Sequence, residues 1–342
     1  MEKTSEAQAK LEDGITGFAK AHEFSSFWLA VVLSSKMEAG LGEEGRLKLK
    51  SELKRSLGRK LEAKWAKKKI RAAHDNPDVL FTLDFHAGRL KTKIKPLFVY
   101  GRYLKPSREI PQSKWPCSRC NGGGCSHCGG KGAMYEETVE GFIGAPLVKQ
   151  SGASGTKMHA AGREDVDARM LGTGRPFVIE LEKPRKRKLN LSRARLEANR
   201  AGKGKASFSK LFPVGEKEAA KIHSVQPDKA YRVTVTCGKS VTDASLRKLL
   251  RLKGALISQR TPTRVLHRRG DLERKRRIRS VSVKNLSSKS FQLSVRVQSG
   301  TYVKELVSGD SGRTKPSVSS ILGCKCVPSD LDVTRVWFRL RE

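Results

Sequence analysis

Gly162-Arg163-Glu164-Asp165-Val166-Asp167-Ala168-Arg169-Met170-Leu171-Gly172-Thr173-Gly174-Arg175-Pro176-Phe177 is the densest chemical stretch of this 342-residue chain. Three carboxylates lie among three arginines, beside glycines that permit close backbone approach. Residue chemistry leaves three readings open: a metal-dependent nuclease cluster of Glu164, Asp165 and Asp167, a surface salt-bridge patch, or a single activated carboxylate. Asp167 shares a face with Asp165 if the segment is a strand. The stretch runs into an apolar segment, 176–181, that reads as a short strand.

Further strands follow C-terminally. Tyr231, Val233, Val235 and Cys237 alternate with polar residues, as do Phe291, Leu293, Val295 and Val297. Both patterns predict half-buried strands, and 332–338 predicts a final one. Thr242 is placed to cap a helix carrying Leu246, Leu249 and Leu250. Many strands with few, separated helices predict an α+β catalytic domain on a mixed or antiparallel sheet, spanning 134–342. Two basic segments interrupt it and are expected to be RNA-gripping loops. Residues 183–210 hold eleven Lys and Arg against one acid, and 260–279 hold nine against two.

On the N-terminal side, residues 1–42 carry no readable period. Leu49, Leu53, Leu57, Leu61 and Trp65 recur every fourth residue and predict a helix that ends before Pro77. Residues 79–85 and 94–103 read as strands. Residues 1–133 are therefore expected to form a separate α/β RNA-binding domain. It is closed by Cys117, Cys120, Cys125 and Cys128, two Cys-x2-Cys turns four residues apart among glycines. Two such turns supply four thiolates to one tetrahedral ion, so this segment, 117–128, predicts a structural zinc knuckle with no open coordination position. His127 is expected to be an exposed bystander.

Composition narrows the function. Lys and Arg number 70 against 34 acids, a formal charge of +36. Apolar residues make up 37% of the chain, enough with its 31 glycines for folded domains. The charge points to a polyanionic partner, with nucleic acid first. No apolar run is long enough to span a membrane, and residues 1–20 lack the apolar core of a secretory signal. The expectation is a cytoplasmic protein with no membrane association and no obligate protein partner.

The opening stretch also resembles the Arg-x-Asp motif of pseudouridine synthases, in the form found in the archaeal and eukaryotic family that acts on the T-arm of tRNA. Three further segments match that family in order: Asp228-Lys229-Ala230-Tyr231-Arg232-Val233-Thr234, the basic run from Gln259 to Arg269, and Gly300-Thr301-Tyr302-Val303-Lys304-Glu305-Leu306 continuing to Ser317. The resemblance covers about residues 96 to 342 and implies isomerisation of uridine 54, uridine 55 or both, without an organic cofactor. It implies that Asp165 is the catalytic carboxylate and that Tyr231 stacks on the target base. It also implies that Lys304, where related synthases usually place arginine, is the cation beside Asp165. Arg163, Arg169, Arg260, Arg264, Arg268, Arg269 and Tyr302 are the expected RNA contacts, with Asp167 in support of Asp165. The family's accessory domain is of the THUMP type, which 1–133 would supply. A non-catalytic, ribosome-associated RNA-binding protein is the alternative that charge alone would equally support.

Overall fold

The computed structural model describes residues 2–338 and 340, without the side chains of residues 2–5, Ala7, His223 and Arg268. The chain forms two compact units. The first comprises 1–97 with 147–157 and 180–190, and the second comprises 98–146, 158–179 and 191–342.

The first unit contains α1 (Glu2–Ala21), β1 (Ser26–Val32), α2 (Ser35–Glu38), α3 (Glu43–Trp65), β2 (Arg71–Ala72), β3 (Val79–Asp84) and β4 (Arg89–Ile94). Its sheet has the order β2-β1-β3-β4, with β1 parallel to both β2 and β3 and β4 antiparallel to β3. The predicted helix is α3. Its Leu57, Leu61 and Trp65 are buried, Leu49 and Leu53 half-buried. The Trp65 ring meets Phe24 and Phe27 edge to face at 5.4 and 5.3 Å. Residues 1–42, unreadable in sequence, hold α1 and β1. The apolar face of α1 is Leu11, Ile15 and Ala19, spaced by four but diluted by Gly14 and Gly17.

The second unit carries, wholly or in part, β5 (Leu97–Lys105), α4 (Val139–Ser151), β6 (Gly155–Ala160), β7 (Arg169–Glu182), α5 (Leu191–Ala201), β8 (Ser207–Phe208), β9 (Phe212–Val214), α6 (Glu216–Ser224), β10 (Lys229–Cys237) and α7 (Asp243–Arg247). It continues with β11 (Leu256–Arg260), β12 (Glu273–Ser287), β13 (Ser290–Val297), α8 (Val303–Ser308), β14 (Thr314–Lys315), α9 (Val318–Leu322) and β15 (Cys326–Val336). The large sheet has the order β14-β11-β12-β13-β10-β15-β7-β5-β8. It is mixed: β15 and β7 run parallel, whereas β10 is antiparallel to β13 and β15. The expected α+β class with a mixed sheet is therefore observed.

Several expectations need correction. The single strand expected over 94–103 is two strands in two different sheets, β4 and β5, divided at Lys95-Pro96. Proline has no N–H to donate to a ladder, and Pro96 lies between the two strands. The compact units first part at 97/98, with 147–157 and 180–190 returning to the first, and the cysteine knuckle lies in the second unit. The knuckle is a loop closed by a bridge between Pro116 and Ala133 and by Cys117 N donating to Gly132 O at 2.8 Å. The basic segments are also built into the fold. Residues 183–210 contain α5, whose Ala194 and Ala198 are buried, and 260–279 enter β12, which pairs with β11 and β13. Helix α4 had a legible face, Val139, Ile143 and Leu147, all fully buried, but its glycines and Pro146 mask the period. Among the described residues no helix is long and apolar enough to cross a membrane.

Gly172 shows how tightly β7 meets β15. Its φ is +58°, and a Cβ there would lie 1.9 Å from the carbonyl oxygen of Thr334. Gly172→Ala is expected to destabilise the chain by about 1–3 kcal/mol, read as a lower urea midpoint. An unchanged midpoint would contradict this packing.

Candidate active site

Strand β5 prepares the floor of the site. Its alternation sends Gly101, Tyr103 and Lys105 to the buried face. The Tyr103 hydroxyl donates to Glu164 Oε1 at 2.8 Å and accepts from Gln112 Nε2 at 2.7 Å. Lys105 Nζ donates to the carbonyls of Val166, Ser107 and Ile110 at 2.8–3.1 Å. One strand face thus holds the segment around residue 165 from both sides.

Glu164 and Arg175 complete the hold. Arg175 Nε donates to Glu164 Oε2 at 2.7 Å, and both side chains are 1% exposed. Burial by itself would lower the pKa of the guanidinium, but the adjacent Glu164 charge outweighs it and raises it. Arg175 Nη1 also donates to Ala161 O at 2.8 Å. With Glu164 drawn inward, its neighbour Asp165 lines a cavity of about 530 Å³, and Ala168 N closes a turn onto Asp165 O at 3.1 Å.

Asp165, Tyr231, Lys304, Arg163, Arg264, Arg269 and Tyr302 all line this cavity. Four separated motifs therefore converge. Asp165 Oδ2 lies 3.2 Å from Lys304 Nζ and 3.3 Å from Arg264 Nη1. Lys304, on the first turn of α8, also donates to both Asp167 oxygens at 3.0 and 2.8 Å. Arg264 Nε donates to the buried Glu305 at 2.7 Å. Burial would lower the pKa of both cations, but Asp167 and Asp165 raise that of Lys304, and Glu305 and Asp165 raise that of Arg264. Both stay charged beside the carboxylate.

Tyr231 sits half-buried on β10, and burial pushes its phenol up to about 12, so it is neutral at pH 7. Arg163 lies over the Trp115 ring, 5.0 Å from its centroid. Tyr302 is fixed by Gln259, which accepts from its backbone N–H at 2.9 Å, and its hydroxyl accepts from Arg269 Nη1 at 3.0 Å. Arg169 and Arg260 do not line the cavity: Arg169 grips Asp332 with two bonds of 2.8 and 2.7 Å, and Arg260 pairs with Asp271 at 2.8 Å. The Arg268 side chain lies outside the described residues.

Sequence reasoning missed several contributors, Lys105 among them. Glu164 was legible only as one of three acids, and nothing marked Tyr103 or Gln112 as its partners. Lys229, two residues before Tyr231 in a quoted motif, lines the cavity and donates to Ser299 Oγ at 3.1 Å. Burial lowers its pKa to about 8.

The four-cysteine group is assembled. Its sulfurs lie within 4.8 Å of one another, with separations of 3.8–3.9 Å. Backbone amides of Gly124 and Gly132 point at Cys120 and Cys128 sulfurs at 3.2 and 3.1 Å. A Cβ on Gly132 would come within 2.4 Å of Gly122 O, so the wrap requires glycine. This donor set fits a tetrahedral thiolate-bound metal ion. His127 is exposed and outside the cluster.

A family model described as Pus10, C-terminal, matches residues 98–336. The chain belongs to the Pus10 family. The match begins where the second unit begins. Curated relatives named tRNA pseudouridine synthase Pus10 include that of Methanothrix thermoacetophila, 40% identical over 288 residues, covering 84% of this chain and 63% of the relative. That of Korarchaeum cryptofilum is 44% identical over 262 residues, covering 76% and 70%. That of Methanosphaera stadtmanae is 36% identical over 337 residues, covering 92% and 82%. The chain thus spans less than two thirds of the first of these relatives and most of the third. Among solved structures, a chain from a Cbf5-Nop10-Gar1 complex aligns with a TM-score of 0.36 at 15% identity over 69% of this chain and 58% of its own, too distant to carry an argument.

Two outcomes test this geometry. Arg175→Met leaves Glu164 buried without its cation and is expected to cost about 3–5 kcal/mol, with part of the loss recovered in Glu164→Gln/Arg175→Met. Equal stability of wild type and Arg175→Met in urea would contradict it. Lys229 has its ordinary value of 10.5 when unfolded and about 8 when folded. Between these values the unfolded chain keeps a proton that the folded chain has lost, so this group adds stability as pH rises through the window. Wild type should gain on Lys229→Met from about pH 8 to about pH 10. A stability gap independent of pH would show that Lys229 is not desolvated.

Proposed function

We propose that this chain is a tRNA pseudouridine synthase acting on T-arm uridines, at position 54, 55 or both. The observation that carries the reading is the Asp165 carboxylate between Lys304 and Arg264 at 3.2 and 3.3 Å, in a cavity that also presents Tyr231. A cavity of about 530 Å³ is large enough for one nucleoside out of its stack. Tyr231 offers an aromatic face that offsets part of the unstacking cost. Asp165, held between two fixed cations, acts at the sugar–base junction while the C1′–N1 bond breaks. The uracil turns, C5 bonds to C1′, the C5 proton leaves and N1 takes one up. Atoms and charge balance without a redox partner or an energy source.

Lys304 and Arg264 share the task of the arginine usual in related synthases. Lys304 supplies a point charge and Arg264 a planar donor, from different motifs. Arg264 thus positions the catalytic carboxylate in addition to its place among the basic RNA contacts. The nuclease alternative fits poorly. Glu164 is taken up by Arg175 and Tyr103, and an ammonium, not a gap for magnesium, stands between Asp165 and Asp167.

The four-thiol knuckle would hold a structural zinc, with no part in the reaction. The first unit, an α/β module, would serve as the THUMP-like RNA-binding domain. The enzyme would act in the cytoplasm. The net charge of +36 provides long-range attraction for tRNA.

Pseudouridine mapping by mass spectrometry on an unmodified tRNA transcript tests the reading. Asp165→Asn should lower product formation by at least about three orders of magnitude while tRNA binding persists. Binding should weaken steeply as salt is raised. Wild-type chain that makes no pseudouridine, or that cuts the RNA when magnesium is present, would overturn it.

A further inference from the structure

Three cysteines, Cys237, Cys324 and Cys326, take no part in the chemistry above and lie outside the knuckle. Cys237 ends β10 and faces Cys326, the first residue of β15, across an antiparallel pair. The two do not exchange ladder bonds: Cys237 N donates to Lys289 O, and Cys326 N to Ser319 Oγ. Side chains approach most closely in such a pair, and these sulfurs are 3.6 Å apart. Cys324 joins them from the turn after α9. Gly323, at φ +66°, ends that helix and reverses the chain. The Cys324 sulfur then lies 3.9 Å from that of Cys326, and all three sulfurs fall within 4.8 Å of one another.

Two of these separations, 3.6 and 3.9 Å, are close to the 3.8–3.9 Å found in the four-thiol knuckle. Three sulfurs with sides of 3.6 Å, 3.9 Å and at most 4.8 Å leave a centre roughly 2.1–2.4 Å from each, close to the ~2.3 Å of a metal–thiolate bond. Among the described residues no His, Asp, Glu or fourth Cys joins the group. A structural zinc ion takes four ligands, so a three-sulfur set favours a soft ion satisfied by thiolates alone. Cys237 and Cys326 are buried and Cys324 is half-buried. The site is therefore shielded on the core side and reachable from solvent at Cys324. Gly238 N donates to Lys325 O at 2.8 Å, which ties the two strand ends together before any ion arrives.

We propose that Cys237, Cys324 and Cys326 form a three-thiolate site for a soft d10 cation of the Cu(I) type, separate from the four-cysteine knuckle. Each thiol releases its proton to solvent as its sulfur bonds the ion, and no electron is transferred. Binding joins the β10 and β15 ends to the turn after α9.

The test is anaerobic titration of the reduced, zinc-loaded full chain with Cu(I) against a chromophoric Cu(I) chelator. Wild type should retain one copper equivalent that Cys324→Ser loses, at unchanged zinc content. In wild type, copper should also block iodoacetamide labelling of Cys324, mapped on peptides, which keeps the test decisive if the variant folds poorly. Equal copper uptake by the two proteins with Cys324 still labelled would overturn the site. So would copper that merely displaces zinc, or a Cys237–Cys326 disulfide formed with no copper retained.

Discussion

A carboxylate and a guanidinium, Glu164 and Arg175, are sealed from water 2.7 Å apart beneath the cavity floor. Removing two charges from solvent costs several kcal/mol per ion unless each is matched and hydrogen-bonded. Here each is: Glu164 also accepts from Tyr103, and Arg175 also donates to Ala161. Glu164 lies next to Asp165 in sequence, and its pairing with Arg175 fixes which of two adjacent acids goes inward. Glu164 is locked below, and Asp165 is left facing the cavity. An apolar pair of similar volume would pack as well but would not enforce that choice, so the pair is best understood as a device of specificity.

Charge is graded outward from this pair. Lys304 and Arg264 flank Asp165, and each is tied down by a second acid, Asp167 or Glu305. The anchoring acids keep the cations from swinging away, so the carboxylate meets them already oriented. In the proposed reaction this would be electrostatic preorganisation, the cost of arranging the charges being met in folding. Arg163, over Trp115, and Arg269, on Tyr302, extend the positive rim toward solvent, where a phosphate backbone would pass.

Sequence patterns revealed the second unit better than the first. Alternation in β10 and β13 and the spacing in α3 carried clear periods because one face of each is buried and the other wet. Helix α1 carried a weak one, since Gly14 and Gly17 interrupt its face. Residues 94–103 read as one strand because proline's meaning depends on which sheet each flank joins. At the site, Asp165, Tyr231 and Lys304 were legible through motifs. The roles of Glu164, Tyr103 and Lys105 were not, because they depend on a strand face some 60 residues away in the chain. A buried ion pair leaves no local signature in sequence: its acid and its base look like any other two charges.

The most direct measurement is a crystal structure of the chain with a T-arm hairpin carrying 5-fluorouridine at the target position, since fluorine at C5 prevents the final loss of a proton. The account predicts the base in the cavity against Tyr231, Asp165 within about 3–3.5 Å of the reacting sugar–base atoms, and Glu164 still paired with Arg175. A base bound elsewhere, with Asp165 turned to solvent and away from Lys304 and Arg264, would contradict it.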